Sequence, residues 1–199
     1  MGRTRTFDVD EALGAAVETF WQHGFEATSV QALCRAMEVQ PGSVYAAFGN
    51  KRELFVAALH RYADTVTAEA LQRIDAAPSG LLGLRGYFEH LVEAMVDGRR
   101  RWGCLVTNSL VELAERDPEL TGLFQRHLTG LRAAFAGALA RARAEGQLRA
   151  GAGPESADLL VAVVQGMNVL AKTNPGRETL RAIADAALAG LIGAEAVHE

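Results

Sequence analysis

The sequence predicts an all-α protein, and two observations support that prediction. Apolar residues recur at the three- and four-residue spacing of helix faces through most of the chain. No segment shows the sustained alternation of β-branched residues that is typical of strands. Glycine and proline separate the helical segments, so the predicted elements can be taken in order along the chain.

The first predicted helix covers residues 8–23 and ends at Gly24, which interrupts its apolar stripe. Thr28 and Ser29 follow, and their hydroxyls can cap the backbone amides of a short second helix or bind a phosphate. This segment therefore predicts a helix start that is suited either to structure or to contact with an anion.

A third helix is predicted over residues 41–48, after a turn at residues 38–40. Pro41 suits its first turn, because proline needs no amide hydrogen there. The helix is short and rich in small residues around one tyrosine. Such a helix can lie close against a surface such as the DNA major groove.

The remainder of the chain reads as longer helices separated by clear breaks. The first of the last two helices is apolar nearly all round, which predicts burial on more than one side. The predicted segments are 51–76, 81–97, 105–114, 119–145, 155–170 and 177–192.

The composition indicates a soluble, globular, cytoplasmic chain. Its 199 residues are enough to bury a core, and 49% of them are apolar. No apolar run is long enough to cross a bilayer, and the N-terminus has no apolar signal region. Two cysteines, Cys34 and Cys104, in such a chain argue against a structural disulfide. We therefore expect no membrane partner.

An ordered set of residues near the N-terminus identifies a family resemblance. The set comprises Phe20, Gly24, Phe25, Thr28, Ser29, Val30, Ala36, Val39, Gly42, Ser43, Val44, Tyr45, Phe48, Asn50, Lys51, Leu54 and Phe55. It resembles the DNA-binding segment of the TetR family of bacterial transcriptional regulators. The resemblance implies a three-helix, helix-turn-helix DNA-binding domain over residues 1–52. A larger helical bundle for ligand sensing and dimerisation would follow over residues 53–199.

The candidate DNA contacts lie on and around the short third helix. The Gln40 amide can read adenine or bind a phosphate, and Ser43 can do either. The resemblance implies a backbone contact from the Tyr45 hydroxyl, and Lys51 is expected to hold a phosphate. Val44 is expected to face the core. The full candidate set is Arg3, Arg5, Thr28, Ser29, Gln40, Pro41, Gly42, Ser43, Tyr45, Ala46 and Lys51.

Two features limit how this interface can work. Ala46 and Ala47 stand where many relatives carry polar or aromatic residues. We therefore expect alanine contacts with thymine methyls, and recognition of DNA shape, to contribute more to sequence specificity. Residues 1–52 carry five basic and six acidic side chains. Phosphate contact must therefore depend on a few well-placed cations rather than on a basic surface.

The resemblance implies a repressor that binds a palindromic double-stranded operator, with one half-site per subunit. It also implies a homodimer through the last two helices, for which a monomer with a well-buried core is the alternative. An unknown small-molecule inducer or modification of a cysteine would release the operator by favouring an arrangement that cannot bind it.

Cys104 is the candidate for such a modification. It follows three arginines at residues 99–101 and a glycine, at an expected helix start. Positive charge and a helix start favour the thiolate, which is the reactive form of cysteine. The alternative is that Cys104 is a small buried apolar residue. Cys34 lies on an apolar helix face and is expected in the core.

A ligand pocket is implied by the resemblance rather than by any motif. Pockets of this kind are mostly apolar with a few polar groups that orient the ligand. The candidates on the middle and later helices are Tyr62, Tyr87, Phe88, Met95, Trp102, Asn108, Gln165 and Met167. For each of them, ordinary core packing is the alternative role.

Catalytic and metal-binding patterns are weak. His60 with Asp64, and His90 with Glu93, lie one helical turn apart, but neither pair has a third ligand at suitable spacing. Phosphate-binding loops, dinucleotide fingerprints and nucleophile elbows are missing from the sequence. We expect no enzymatic activity, no metal and no cofactor. A helical enzyme and an interaction module that has lost DNA binding remain as alternatives.

Overall fold

The structure, a computed structural model, describes residues 7–96 and 98–193, apart from the side chains of Arg99 and Arg100. The described part is all-α, which confirms the predicted fold class. A π-helical segment, Ala63–Thr67, connects α4 to α5, and 3₁₀ helices cover Arg99–Trp102 and Pro154–Ser156. The α-helices are α1 (Val9–His23), α2 (Val30–Ala36), α3 (Pro41–Phe48), α4 (Lys51–Tyr62), α5 (Ala68–Ala76), α6 (Gly80–Val96), α7 (Leu105–Leu113), α8 (Pro118–Ala144), α9 (Ala157–Ala171) and α10 (Arg177–Ala189).

Local capping explains where α1 and α2 begin and end. The Asp8 carboxylate accepts the backbone N–H of Asp10 at 2.8 Å and so caps α1. Gly24 ends α1 with a φ of +79°, in the left-handed region that favours glycine. The Ser29 hydroxyl accepts the backbone N–H of Ala32 at 3.1 Å and caps α2.

The tight connections on both sides of α3 also have local causes. Glu38 adopts a φ of +56° and reverses the chain after α2. Pro41 occupies the first turn of α3, and Gly49 ends the helix with a φ of +79°. Asn50 then forms a capping box with Glu53, since each side chain accepts the other residue's backbone N–H. These caps hold α3 between two sharply defined turns.

The predicted long helix over residues 51–76 is interrupted. Residues Ala63–Thr67 form a π-helical segment, so that α4 and α5 are two α-helices in one continuous run. In this segment the Thr65 hydroxyl donates to the Arg61 carbonyl at 2.6 Å. A hydroxyl that bonds back to the preceding turn competes with the helical backbone pattern, which is one physical reason for the interruption.

The C-terminal helix ends earlier than residue 192, where the sequence places its end. After α10 the chain turns back, and the backbone N–H of Arg149 donates to the Leu191 carbonyl at 3.0 Å. The N–H of Gly193 donates to the Gln147 carbonyl at 2.9 Å, next to an isolated bridge between Leu148 and Ile192. Pairing with the loop after α8 therefore replaces the last helical turn.

Two apolar cores organise the described residues. The first core encloses α1 to α4 and also takes in α7 and the start of α8, through buried residues such as Leu105, Leu113 and Phe124. The second core lies between α5, α6, α8, α9 and α10 and is centred on Phe88 and Phe135. Because α4 belongs to the first core and α5 to the second, the continuous α4–α5 run joins the two.

Candidate nucleic-acid interface

Helix α3 presents a nearly complete exposed face. Gln40, Pro41, Gly42 and Ala46 are exposed, and Tyr45 has half of its surface accessible, at 50%. Ser43 is half-buried. Val44 is 2% exposed and points into the first core, where the sequence places it. One face of α3 is therefore anchored and the other is open to a partner.

Gly42 has no packing reason to be glycine within the chain. A Cβ built on Gly42 meets no heavy atom within 4 Å, and its φ lies outside the left-handed region. Glycine in a helix lowers stability relative to alanine. The absence of a side chain at this position leaves room for another molecule to approach α3 closely.

Thr28 and Ser29 have different positions in the turn before α2. Thr28 is 2% exposed, and its hydroxyl donates to the Gly24 carbonyl at 2.6 Å. The Thr28 hydroxyl is thus turned inward in the DNA-free chain, and a phosphate contact from Thr28 stays a prediction. Ser29 is exposed and caps α2, so its oxygen already accepts one backbone N–H.

The cations near α3 are not equally available. The Lys51 ammonium lies 4.3 Å from the centre of the Phe25 ring and 3.5 Å from the Glu26 carbonyl. Arg35 is exposed in the last turn of α2, a position that the sequence-based candidate set omits. Arg3 and Arg5 lie outside the described residues.

Arg52, the residue after Lys51, is held by two acidic residues at the start of α8, the N-cap Asp117 and Glu119. Its Nε lies 2.7 Å from Asp117 Oδ2, and its Nη2 lies 3.0 Å from Asp117 Oδ1 and 2.7 Å from Glu119 Oε2. These hydrogen bonds, with Asp117 as the larger cause, raise the pKa of Arg52 further above its ordinary value. They also lower the pKa of Asp117. Arg52 is therefore a link to α8 more than a free phosphate ligand.

A second link joins the helix-turn-helix segment to α7. The Glu112 carboxylate accepts the backbone N–H of Phe25 at 3.0 Å and that of Glu26 at 2.8 Å. Glu26 also forms an ion pair with Arg116 at 3.6 Å. The turn between α1 and α2 is thus positioned by the C-terminal end of α7.

A third link starts from Trp21 in α1. Its indole N–H donates to the Gly103 carbonyl at 2.9 Å, and its ring packs edge-on against Tyr62 at 4.9 Å. Gly103 immediately precedes Cys104, which is 3% exposed and stands at the start of α7. Cys34 is 8% exposed and lies in the first core, as its place on an apolar face predicts.

The candidate ligand residues do not converge on one pocket. Tyr87, Met95 and Met167 are packed inside the second core, and Tyr62 is packed inside the first. Phe88 reaches the wall of a cleft between α6 and α10. Close aromatic packing, with Tyr87 and Phe135 ring centres 5.0 Å apart, fills the space between these helices, and the ligand-binding role of these residues stays a prediction.

Two neighbouring concave sites contain the other three candidates. The junction cleft, of about 570 Å³, lies between the end of α1, the start of α7 and α9, and it contains Trp102 and Asn108. The α7–α9 groove, of about 310 Å³, contains Gln165, whose amide oxygen accepts a hydrogen bond from Thr107 at 2.6 Å. Thr107, Val111 and Val169 line both, so the two sites adjoin each other.

The described residues contain no group of three or more histidine, cysteine or acidic residues that could hold a metal ion. Within the same part of the chain, no helix is both long enough and apolar enough to span a bilayer.

Comparison with known proteins identifies both parts of the chain. A family model described as bacterial regulatory proteins, tetR family, matches residues 12–58. A second model, described as Tetracyclin repressor-like, C-terminal domain, matches residues 80–189. Together the two matches cover most of the described helices.

Two curated relatives are similar over most of their length. The HTH-type transcriptional regulator YezE of Bacillus subtilis is 35% identical over 148 residues, which span 74% of this chain and 76% of YezE. The HTH-type transcriptional repressor ComR of Escherichia coli is 28% identical over 189 residues, which span 94% of this chain and 90% of ComR.

A solved structure is similar over nearly the whole chain. It is a cysteine mutant of the TetR family transcriptional regulator CifR in complex with 26bp double-strand operator DNA. The two chains are 33% identical and superpose with a TM-score of 0.83, over 96% of this chain and 100% of the CifR chain.

Proposed function

Because the chain belongs to the TetR family and is a DNA-binding transcriptional regulator, we propose that it represses transcription from a palindromic operator. The observation that carries this proposal is the exposed face of α3, with Tyr45 half-exposed beside Gly42. ComR is named a repressor, and CifR was solved with operator DNA. By similarity, α3 would enter the major groove.

The proposed contacts on and around α3 are of two kinds: contacts to the phosphate backbone, which position the protein, and contacts to base edges, which recognise the sequence. Tyr45 and Lys51 would contact the phosphate backbone, with Ser29 and Arg35 near it, while Gln40 is the side chain on this face best suited to a base edge. Ala46 would meet a thymine methyl. Because few polar side chains face outward, sequence-dependent DNA shape would contribute much of the specificity.

Homodimerisation through α9 and α10 is part of the proposal. Helix α9 has an exposed apolar stripe in which Leu159 is 51% and Leu170 is 41% exposed, with Ala162 and Gly166 between them. The exposed face of α10 is rich in small residues, among them Ala182 and Ala186. Two such helices from each subunit would bury the stripe, and two-fold symmetry would match a palindrome.

We propose a non-covalent ligand, rather than cysteine modification, as the signal that relieves repression. Cys104 is 3% exposed, and a reagent must reach a thiol to modify it. Cysteine sensing is the second candidate, since the CifR complex was solved as a cysteine mutant and Trp21 bonds to the carbonyl of the residue before Cys104. Iodoacetamide labelling followed by mass spectrometry separates the two. Fast labelling of Cys104 in the native protein, accompanied by loss of DNA binding, would favour the thiol.

Fluorescence anisotropy with DNA that flanks the gene tests the proposal. The wild-type protein should bind with a steep decrease of affinity as salt rises, because phosphate contacts release counterions. Tyr45→Ala should weaken binding about tenfold, which corresponds to about 1.4 kcal/mol, with unchanged thermal stability. Leu82→Ala, at a 50% exposed position on α6, is the matched control and should bind as the wild type does. Equal affinity of the Tyr45→Ala variant and the wild type would contradict the placement of α3 against DNA.

A further inference from the structure

We propose that the junction cleft and the α7–α9 groove together form a binding site for a small amphipathic anion. The proposal rests on the proposed regulation by a ligand and names the chemistry of that ligand. The site consists of a cationic, aromatic end beside the DNA-binding helices and an apolar end between α7 and α9.

The cationic end is formed by Arg101 and Lys172, which line the junction cleft. The Arg101 guanidinium lies over the Trp102 ring, with its central carbon 5.0 Å from the ring centre. Neither cation has a carboxylate partner among the residues whose side chains the structure describes. Two unpaired cations at the mouth of one cleft favour a ligand that brings a negative charge.

The acidic residue in the same cleft does not cancel this charge. Both oxygens of Glu112 accept backbone N–H groups, from Phe25 and Glu26. Such donors stabilise the carboxylate and occupy it. A ligand anion at Arg101 and Lys172 therefore does not compete with an ion pair already formed inside the cleft.

The apolar end lies in the α7–α9 groove, whose walls are formed by Val106, Leu110, Val111, Leu128 and Val169. In the single chain Val111 is 77% exposed and Val169 is 55% exposed, so an apolar chain laid between them would remove apolar surface from water. Gly166 also lines this groove and belongs to the α9 stripe proposed for dimerisation, so the ligand would lie at the edge of the dimer interface. Since the groove adjoins the junction cleft and shares three lining residues with it, one ligand that passes over them can place its charge at one end and its apolar part at the other. A medium-chain carboxylate has this form.

The location links occupancy to the DNA-binding segment. The junction cleft is lined by residues of the last turn of α1, among them Trp21, and by Glu112. These residues provide two of the contacts that position the helix-turn-helix segment, through Gly103 and through the turn after α1. A ligand in the cleft would touch both contacts directly.

Intrinsic fluorescence provides the test, because the chain has two tryptophans and both line the junction cleft. The full-length protein is titrated with sodium octanoate and, separately, with 1-octanol, its uncharged counterpart. We expect a saturable change of emission with octanoate, and an affinity at least about tenfold weaker for 1-octanol. Absence of a saturable change, or equal affinities for the two probes, would overturn the proposal.

Three variants separate the two ends of the site. The double variant Arg101→Gln with Lys172→Gln should lose about tenfold in octanoate affinity and leave 1-octanol binding unchanged. Val111→Asn, at an exposed position where folding is insensitive, should weaken both probes alike. Arg126→Gln, at an exposed arginine on α8, is the control and should bind both as the wild type does. Octanoate affinity that survives the double substitution would reject the cationic end and with it the proposal.

DNA binding by the ligand-free protein is measured in parallel. Loss of operator binding would reject the proposed function, but the conclusion about octanoate binding from the fluorescence titration would be unaffected. Operator binding without an octanoate response would reject the site alone.

Discussion

Arg52 and Asp117 form a two-point ion pair that joins the start of α4 to the start of α8, with distances of 2.7 Å and 3.0 Å. The pair ties the segment that follows the DNA-binding helices to the longest described helix. Its side chains are 39% and 19% exposed, so water still screens the pair.

We expect a double-mutant cycle of Arg52→Gln and Asp117→Asn to give a coupling energy of about 1 kcal/mol or less near neutral pH. Contact with Arg52 lowers the Asp117 pKa in the folded state. This stabilisation is therefore complete above the unfolded-state pKa of about 3.9, and it is lost as pH falls through the lower folded-state pKa. Urea unfolding at several pH values measures the coupling. A coupling that grows on acidification would contradict this assignment.

Gly42→Ala should separate stability from DNA binding. In the free protein the new methyl group meets open space, so α3 should become more stable by about 0.5 kcal/mol. In the complex the methyl would keep α3 from the groove floor, and affinity should decrease about tenfold. Thermal unfolding and anisotropy measure the two effects.

Gly137→Ala supplies the matched control for Gly42→Ala. Gly137 is an exposed glycine within α8, and a Cβ there also meets nothing within 4 Å. This variant should gain stability and keep wild-type affinity for DNA. If Gly42→Ala also bound DNA normally, close approach at residue 42 would be excluded.

Glu112→Gln should loosen the turn between α1 and α2. The neutral amide has only one oxygen to accept the two backbone N–H groups that the carboxylate now binds. We expect a loss of about 1–2 kcal/mol in the free energy of unfolding, since hydrogen bonds to charged groups are strong. Hydrogen exchange at the Phe25 and Glu26 amides should accelerate. Glu115→Gln, at an exposed residue near the end of α7, should leave both measurements unchanged.

Leu159→Glu should convert a dimer to a monomer without unfolding the subunit. The side chain is 51% exposed in the single chain, so the charge is costly only if a second subunit covers it. Sedimentation velocity measures the mass, and circular dichroism measures the helix content. Leu82→Glu, at a 50% exposed leucine on α6, should remain dimeric. A wild-type sedimentation pattern for Leu159→Glu would place the interface elsewhere.

The sequence predicts local features of this chain well, because those features have local causes. Gly24 ends α1, Ser29 caps α2 and Pro41 starts α3, each through backbone geometry or a bond within three residues. Long-range placement is different. No local pattern in the sequence indicates that Arg52 pairs with Asp117, which lies 65 positions away, or that Glu112 binds the turn after α1.

The ligand candidates show the same limit. Tyr87 and Trp102 look alike in the sequence, as aromatic residues on helical segments, yet one lies inside a closed core and the other at an open cleft. Which aromatic side chain is left uncovered depends on how several helices meet. Helical periodicity alone does not contain that information.

The first apolar core has a practical consequence for protein engineering. Since α1 to α4 share their interior with residues of α7 and α8, a cut after residue 52 would leave apolar surface without its cover. A chimeric regulator made by grafting only the N-terminal segment onto another scaffold would lack the residues of α7 and α8 that complete the first core. Grafts that carry residues 104–124 along with α1 to α4 would transfer all the buried residues of the first core.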